Sequence, residues 1–251
     1  MASDRAFLGV TALLFLGSAA GTIAWCGSMS DMPGMEMPGG WTMSMAWMRM
    51  PGQSWAGAAG TFLGMWMIMM IAMMLPALLP ALRKYRRAVT GPRTNALTAR
   101  VAGAYFLVWA LSGVLVFAIG TALADVEMRM PAIARLVPTL AGLALLIAAA
   151  LQLSRWKERQ LACCRHSSVC RPRGAAAGSA WRHGLDLGLK CCACCAPLTA
   201  MLLVVGVMDL GAMAAASIAI ALERLVPQGR RIARVSGVLL IGAGLTMLAG
   251  A

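Results

Sequence analysis

The segment from Gly184 to Glu223 reads GLDLGLKCCACCAPLTAMLLVVGVMDLGAMAAASIAIALE, and four of its first twelve residues are cysteines. The rest of the segment is almost wholly apolar, which predicts a helix that a lipid bilayer can accept. At about 100° per residue, Cys191, Cys194 and Cys195 are i, i+3 and i+4 neighbours on one helix face. Cys192 faces Cys195 at i+3, so two CxxC pairs overlap there.

This thiol cluster predicts a metal site. Thiolates bind soft metal ions well, and the spacing offers two or three sulfur atoms to one ion. The alternative is that the cysteines pack as small apolar residues inside a membrane helix. Four thiols so closely spaced favour the metal site, whose candidate ligands are Cys191, Cys192, Cys194 and Cys195.

The composition of the chain is that of a membrane protein. Of its 251 residues, 60% are hydrophobic and 12% are charged, and the mean hydropathy is +0.76. A globular chain has a charged fraction of roughly 25%. The net charge of +13 would suit nucleic acid, but the basic residues stand in short blocks between apolar runs, as topology determinants do. A nucleic-acid partner is therefore not predicted.

The apolar runs predict an all-α, polytopic integral membrane helical bundle of about seven transmembrane helices in the lipid bilayer of the cell membrane. The predicted spans are 6–26, 58–82, 101–123, 132–153, 189–208, 210–222 and 235–251. The run 210–222 is only 13 residues long, short for the ~20 that a full span needs. Residues 1–57 form the first helix and an outer loop. Residues 58–251 form the membrane domain, with a cysteine-rich cytosolic loop at 154–183 and the CCxCC helix at 184–209.

The basic residues also predict the orientation. Placing Arg5 and the loops 83–100, 155–190 and 224–234 inside puts nineteen of the 22 lysines and arginines on the cytosolic side. Such asymmetry is the usual signature of membrane topology. The amino terminus is therefore predicted to be cytoplasmic, and the segment after the first span to lie outside.

That outer segment, from Gly27 to Trp55, is rich in methionine. Its prolines and glycines predict a loop, so the methionines have no helix core to fill. Thioethers are soft ligands that do not form disulfides, which suits Cu(I) outside the reducing cytosol. A compatible alternative is an amphipathic stretch on the membrane surface with its tryptophans at the headgroups. The candidate ligands are Met29, Met32, Met35, Met37, Met43 and Met45.

Two further groups of candidate ligands follow along the chain. In the second span, Met65, Met69 and Met73 repeat at i+4, and Met70 and Met74 do the same beside them. This stripe predicts either a sulfur-lined path or adaptable packing, and the two readings stay balanced. The cytosolic loop adds Cys163, Cys164, His166 and Cys170, which suit copper or, as the less favoured metal, zinc.

Several short stretches carry a resemblance to a known family: AMMLP at 72–76, Tyr105 with Trp109, 152–157 followed by Leu161, Cys164 and Arg165, Gly184-x3-Gly188-x2-Cys191-x-Ala193-Cys194-Cys195, 206–208, Met213 and Glu223. On these residues the chain resembles the metal-binding integral membrane proteins grouped as domain of unknown function 2182. The resemblance implies metal binding and supplies no established activity. Two positions depart from the family pattern: Gln160 stands in place of a cysteine and Asp209 in place of the usual asparagine.

These features predict a membrane protein that binds, and moves or delivers, a soft metal ion, with Cu(I) favoured and a metallochaperone or membrane metalloenzyme as partner. The chain contains no GxxxxGK[ST] loop, so movement would proceed without ATP. One alternative is a membrane thiol–disulfide oxidoreductase that uses the overlapping CxxC pairs, and another is a structural membrane subunit. A metalloenzyme is least expected because the chain has two histidines, and no catalytic residue is assigned.

Overall fold

The computed structural model describes residues 2–30, 34–49, 52–89, 91–167, 177–207 and 209–250. Within these ranges the chain forms eight α-helices and one small hairpin, which confirms the predicted all-α class. The helices are α1 (Ala2–Ser30), α2 (Trp55–Ala88), α3 (Thr94–Arg129), α4 (Pro131–Leu153), α5 (Arg155–Ser167), α6 (Ala177–Val205), α7 (Leu210–Leu225) and α8 (Gly229–Ala249). The strands are β1 (Met35–Met37) and β2 (Trp41–Met43), and a 3-10 turn follows at Met45–Trp47.

Six helices of the described ranges are long and apolar enough to cross a membrane: α1, α2, α3, α4, α6 and α8. Large apolar side chains such as Val235, Val238 and Leu239 of α8 point outward, as a lipid-facing surface requires. The predicted span 210–222 corresponds to α7, whose 16 residues are fewer than the ~20 that cross a bilayer. The architecture is consistent with a multi-pass membrane protein.

Helices α3 and α6 pack closely because two glycines of α6 lie at their contact. A Cβ atom on Gly184 would overlap the carbonyl oxygen of Val101 and lie 2.7 Å from Ala104 Cβ. A Cβ atom on Gly188 would lie 2.8 Å from Val108 Cγ2. Small residues allow membrane helices to approach at the backbone. The approach brings the thiol-bearing turns of α6 directly against α3.

The stretch 154–183, expected to be a loop, contains α5 and the first turns of α6. Ser154 Oγ accepts a hydrogen bond from Lys157 N at 3.3 Å and caps the start of α5. The buried residues Lys157, Leu161 and Cys164 follow at i, i+4 and i+7 and form one face. The sequence did not display this helical period, because Lys157, a charged residue, is part of the buried face.

The connection between α6 and α7 is a tight turn. Gly206 adopts a φ of +130°, which few other residues tolerate, and α6 ends just before it. Asp209 then caps α7, because its side chain accepts a hydrogen bond from Ala212 N at 2.6 Å. Asparagine is an equally good cap, so the aspartate at this position keeps the helix start unchanged. The short α7 places Glu223 and Arg224 against the bundle.

The methionine-rich segment forms the β1–β2 hairpin and is not only a loop. Met35 lies opposite Met43, and Met37 lies opposite Trp41. Met37 and Met43 are buried in a small cluster with residues of α3 and α4, and Trp41 Nε1 donates a hydrogen bond to Ala134 O at 2.9 Å. The hairpin therefore rests on α3 and α4.

Candidate metal centre

A cluster of three sulfur atoms lies at the centre of the bundle. Cys191 Sγ is 3.8 Å from Cys195 Sγ, one turn along α6, and 4.0 Å from Met74 Sδ of α2. The exposed fractions of Cys191, Cys195 and Met74 are 0%, 1% and 0%. Two thiols and a thioether are a donor set that suits a soft ion of low coordination number, such as Cu(I). We call these three residues the inner sulfur cluster.

Two polar side chains that were not predicted as site residues reach the same sulfur. Tyr105 Oη of α3 donates a hydrogen bond to Cys191 Sγ at 2.9 Å, and Arg224 Nη1 of α7 donates one at 2.8 Å. Tyr105 is fully buried and Arg224 is half-buried. A guanidinium in an apolar bundle stabilises negative charge on a nearby sulfur. Two donors, one of them cationic, therefore converge on the sulfur atom of Cys191.

A second sulfur pair joins α5 to α6. Cys194 packs with Cys164 and Leu161 in a small buried cluster, and Cys164 Sγ donates a hydrogen bond to Lys190 O at 3.1 Å. A hydrogen bond to the Cys194 thiol, together with burial, raises the pKa of the Cys164 thiol. Cys194 directly precedes Cys195 of the inner sulfur cluster and lies on a neighbouring face of α6.

The sulfur contacts do not follow the two CxxC pairs of the sequence. Cys191 contacts Cys195 and Cys194 packs against α5, whereas Cys192 is half-buried and belongs to neither pair. Cys191 and Cys195 are i, i+4 neighbours, one of the two spacings at which side chains meet on a helix surface. Three of the four predicted thiols therefore belong to these two clusters, and Cys192 lies in neither.

A buried ion pair lies beside the cysteine-bearing turns of α6. Lys157 Nζ is 2.7 Å from Glu223 Oε2 and also donates a hydrogen bond to Cys194 O at 2.6 Å. Ser236 Oγ lies 3.1 Å from Glu223 Oε1, and Gln152 Nε2 donates to the same oxygen. The network joins α4, α5, α7 and α8 to α6, and it fixes the end of α7 that carries the arginine of the site.

Helix α5 also forms ion pairs with α8 that are separate from this network. Glu158 forms ion pairs with Arg230 and Arg234 of α8, the second at 3.3 Å. The hydrogen bond from Arg230 lowers the pKa of the Glu158 carboxyl. These surface contacts and the buried Lys157 keep Cys164 facing α6.

The predicted methionine stripe is buried along α2, and Met74 is the member that reaches the inner sulfur cluster. The buried members are Met65, Met69, Met70, Met73 and Met74. The hairpin methionines lie elsewhere, on β1 and β2, where Met35 is 42% exposed and Met37 and Met43 are buried. Cys163 is exposed, away from Cys164. The side chains of Met29, Met45 and His166, and the whole of Met32 and Cys170, lie outside the described part of the chain.

Methionine is required for a three-ligand site at this place. Within the described ranges, no three cysteine, histidine, aspartate or glutamate side chains are grouped so that they could hold one metal ion. In the inner sulfur cluster, Met74 supplies the third sulfur atom beside those of Cys191 and Cys195. A soft monovalent ion accepts such a thioether, whereas harder ions prefer oxygen and nitrogen.

The sequence patterns did not predict Arg224 as a residue of the candidate site. Arg224 begins the basic stretch 224–234, so it was counted among the residues that determine membrane topology. In the sequence, Arg224 directly follows Glu223 at the end of a short apolar run. Charged residues at membrane depth are rare and mark functional sites, so this position was the available signal.

Comparison with known protein families associates the chain with copper. A family model described as PpoB2, copper chaperone, matches residues 63–247. The match begins in α2 and ends in α8, so it includes the inner sulfur cluster, Tyr105 and Arg224 and leaves the hairpin outside. No curated protein and no solved structure shows significant similarity to the chain. The predicted association with copper is confirmed at the level of the family: this chain belongs to the PpoB2 family of copper chaperones.

Proposed function

We propose that this protein is an integral membrane copper chaperone that holds Cu(I) between Cys191 and Cys195, with Met74 as the third ligand. The observation that carries the proposal is the contact of Arg224 and Tyr105 with the sulfur of Cys191, inside a cluster of three buried sulfur atoms. Burying a guanidinium carries a desolvation cost. Packing of the sulfur atoms alone would not offset this cost, whereas a negatively charged metal–thiolate complex would.

Charge balance favours a monovalent ion. Cu(I) bound by two thiolates carries one net negative charge, and the guanidinium of Arg224 compensates it at 2.8 Å. The neighbouring Lys157–Glu223 pair is neutral as a whole. The loaded site is therefore neutral, as a bundle of low dielectric constant requires. Zinc usually takes four ligands in tetrahedral geometry, more than this cluster of three offers.

The helix order suggests a direction for the path. With a cytoplasmic amino terminus, the hairpin methionines would lie outside and α5 inside. We propose that the hairpin collects the ion, the α2 stripe accepts it, and the inner sulfur cluster binds it. The pair Cys164–Cys194 then forms the exit toward a metallochaperone or membrane metalloenzyme. Ligand exchange between thioether and thiolate sites of graded strength moves the ion without ATP.

Competition with a Cu(I) chelator under anaerobic conditions tests the proposal. We expect Cys191→Ser and Cys195→Ser each to abolish binding at the inner site, and Met74→Leu to weaken it while keeping the apolar volume. The matched control is Cys192→Ser, which removes a half-buried thiol of the same helix turn that is not a member of the inner sulfur cluster. Equal affinity in all four variants would refute the inner site.

Counting free thiols separates this function from the oxidoreductase alternative. A redox enzyme cycles its thiols between reduced and oxidised forms without metal, whereas a chaperone protects them only when copper is bound. We expect the number of reactive thiols of the reduced protein to fall on addition of Cu(I) and to be restored by a Cu(I) chelator, with no thiol-reducing agent present.

A further inference from the structure

A second sulfur-lined space lies between α1, α2 and α7, away from the inner sulfur cluster. Its walls include Cys26 of α1, Met65 and Met69 of α2, and Met213 of α7. All four side chains are buried. The space is about 10 Å³, enough for one small particle. Four sulfur-bearing side chains from three helices therefore line a space of about the size of a single ion.

Among the described lining side chains, the hydroxyl of Thr22 is the one hard donor group. Thr22 is the one hydroxyl-bearing residue among the described side chains of the wall, and its hydroxyl already donates to Ser18 O at 2.8 Å. None of the lining side chains is charged. A donor set of one thiol and three thioethers selects a soft monovalent ion over a hard or divalent one.

The charge of such a complex suits its surroundings. When Cu(I) replaces the proton of one thiol, the complex of the ion with that thiolate has no net charge, and thioethers add none. No counterion is then required in an apolar wall. The inner sulfur cluster, with two thiolates, requires the guanidinium of Arg224. The cavity with one thiolate and the inner sulfur cluster with two thiolates therefore both suit a monovalent ion.

Contacts between α1 and α2 hold this cavity beside the methionine stripe of α2. Gly21 of α1 has no side chain, and a Cβ atom there would lie 3.3 Å from Ile68 Cγ2, so α1 lies close against α2 beside the cavity. Near the other end of α1, the guanidinium of Arg86 lies 4.5 Å from the ring centre of Phe7. Beyond Gly21, toward the end of α1, Cys26 lines the cavity together with Met65 and Met69.

We infer that Cys26, Met65, Met69 and Met213 form an outer Cu(I)-binding site that loads the inner sulfur cluster. This inference rests on the proposed function and extends it with two residues, Cys26 and Met213, that were not predicted as ligands. From Met65 to Met74 the rise along α2 is about 14 Å, and the buried Met69, Met70 and Met73 lie between them. The single-thiolate site binds more weakly than the two-thiolate cluster, so the ion moves inward.

Copper stoichiometry of the full chain, loaded anaerobically with Cu(I) and freed of excess ion by gel filtration, tests the inference. We expect two ions per chain in the wild type, and one in Cys26→Ala/Met213→Leu. The matched control is Met67→Leu, which changes a methionine of the same helix outside the cavity wall and should keep both ions. Cys191→Ser/Cys195→Ser should also keep one ion, held in the outer site.

Failure of the inference is distinguishable from failure of the proposed function. A wild type that holds a single ion, lost from Cys191→Ser/Cys195→Ser and kept by Cys26→Ala/Met213→Leu, would overturn the outer site and leave the inner one standing. The reverse pattern would overturn the inner site alone.

A second measurement does not depend on the folding of the cavity variant. In Cys191→Ser/Cys195→Ser, alkylation of Cys26 is followed by mass spectrometry with and without Cu(I). A slower reaction in the presence of Cu(I) supports the outer site, because a metal-bound thiolate is no longer a free nucleophile. An unchanged rate overturns it.

Discussion

Arg224 Nη1 lies 2.8 Å from Cys191 Sγ, so the last turn of the short helix α7 directs a guanidinium at a thiol in the middle of α6. The same sulfur accepts a hydrogen bond from Tyr105 and lies within 4.0 Å of Met74. Four helices therefore converge on one sulfur atom, and a cation is present where two bound thiolates would leave an excess negative charge.

Replacing the guanidinium should weaken copper binding without unfolding the protein. We expect Arg224→Met to lower the Cu(I) affinity of the inner site by about 10–100-fold, the range found when residues that support metal ligands are removed. Arg224→Lys should recover part of the loss, because it restores the charge but not the planar fork. The control is Arg231→Met, which removes an exposed arginine of α8. Chelator competition measures all three, and an Arg224→Met variant with wild-type affinity would contradict the charge-balance argument.

Breaking the buried ion pair should destabilise the protein strongly. Lys157→Met leaves Glu223 buried without its cation, which typically costs about 3–5 kcal/mol. Lys157→Met/Glu223→Gln removes both charges and should recover a large part of that stability. Lys190→Met is the comparison, because the Lys190–Asp186 pair is much more exposed and contributes about 1 kcal/mol or less.

Thermal unfolding in detergent measures these effects. A Lys157→Met variant as stable as Lys190→Met would show that the buried network does not fix α5 and α7. A double variant less stable than the Lys157→Met single variant would show that the hydrogen bonds of Glu223, and not the ion pair, hold this part of the bundle.

The close contact of α3 and α6 should not tolerate an added methyl group. Gly188→Ala places a Cβ atom 2.8 Å from Val108 Cγ2 and 3.1 Å from Tyr105 O, so we expect a loss of about 1–3 kcal/mol from overpacking. Gly103→Ala on α3 is the control, because a Cβ atom there meets no neighbour within 4 Å. Unfolding in denaturant compares the two. Equal stability of the two variants would mean that α6 does not approach α3 at this point.

Reporter fusions test the orientation of the chain in the membrane. Fusions after Gly40 should report an outer location, and fusions after Pro92 and after Gln228 a cytosolic one. The Gln228 fusion is the most informative, because α7 is short and its ends must still lie on opposite sides of the bundle for α8 to run outward. An outer location of Gln228 would invert α8 and contradict the proposed path.

Much of the fold follows from periodicity and hydropathy. The apolar runs predicted six helices that the structure contains, and the short run 210–222 predicted α7 with its limited length. Helix α5 was missed because its buried face carries Lys157, a residue that normally marks exposed surface. The cost of burying that lysine is offset by Glu223, 66 positions later in the chain, a pairing that no local pattern displays.

The candidate site, like α5, depends partly on contacts between residues that are far apart in the sequence. Local spacing on α6 placed Cys191 and Cys195 on one face, and the stripe on α2 contained Met74. Tertiary packing adds a contact that the spacing on α6 does not display: Cys194 packs against Cys164 and Leu161 of α5. Tyr105 and Arg224 come from helices far apart in the sequence, so their convergence on Cys191 is visible only in three dimensions.

X-ray absorption at the copper K edge tests the inner sulfur cluster most directly. The sample is Cys26→Ala/Met213→Leu loaded with one equivalent of Cu(I), so that the inner site alone is occupied. We expect a monovalent copper ion with a shell of sulfur atoms only, which loses one sulfur in Met74→Leu and disappears in Cys191→Ser/Cys195→Ser. A shell of nitrogen or oxygen atoms, or a sulfur shell that remains when both cysteines are serine, would show that copper is held somewhere other than between Cys191, Cys195 and Met74.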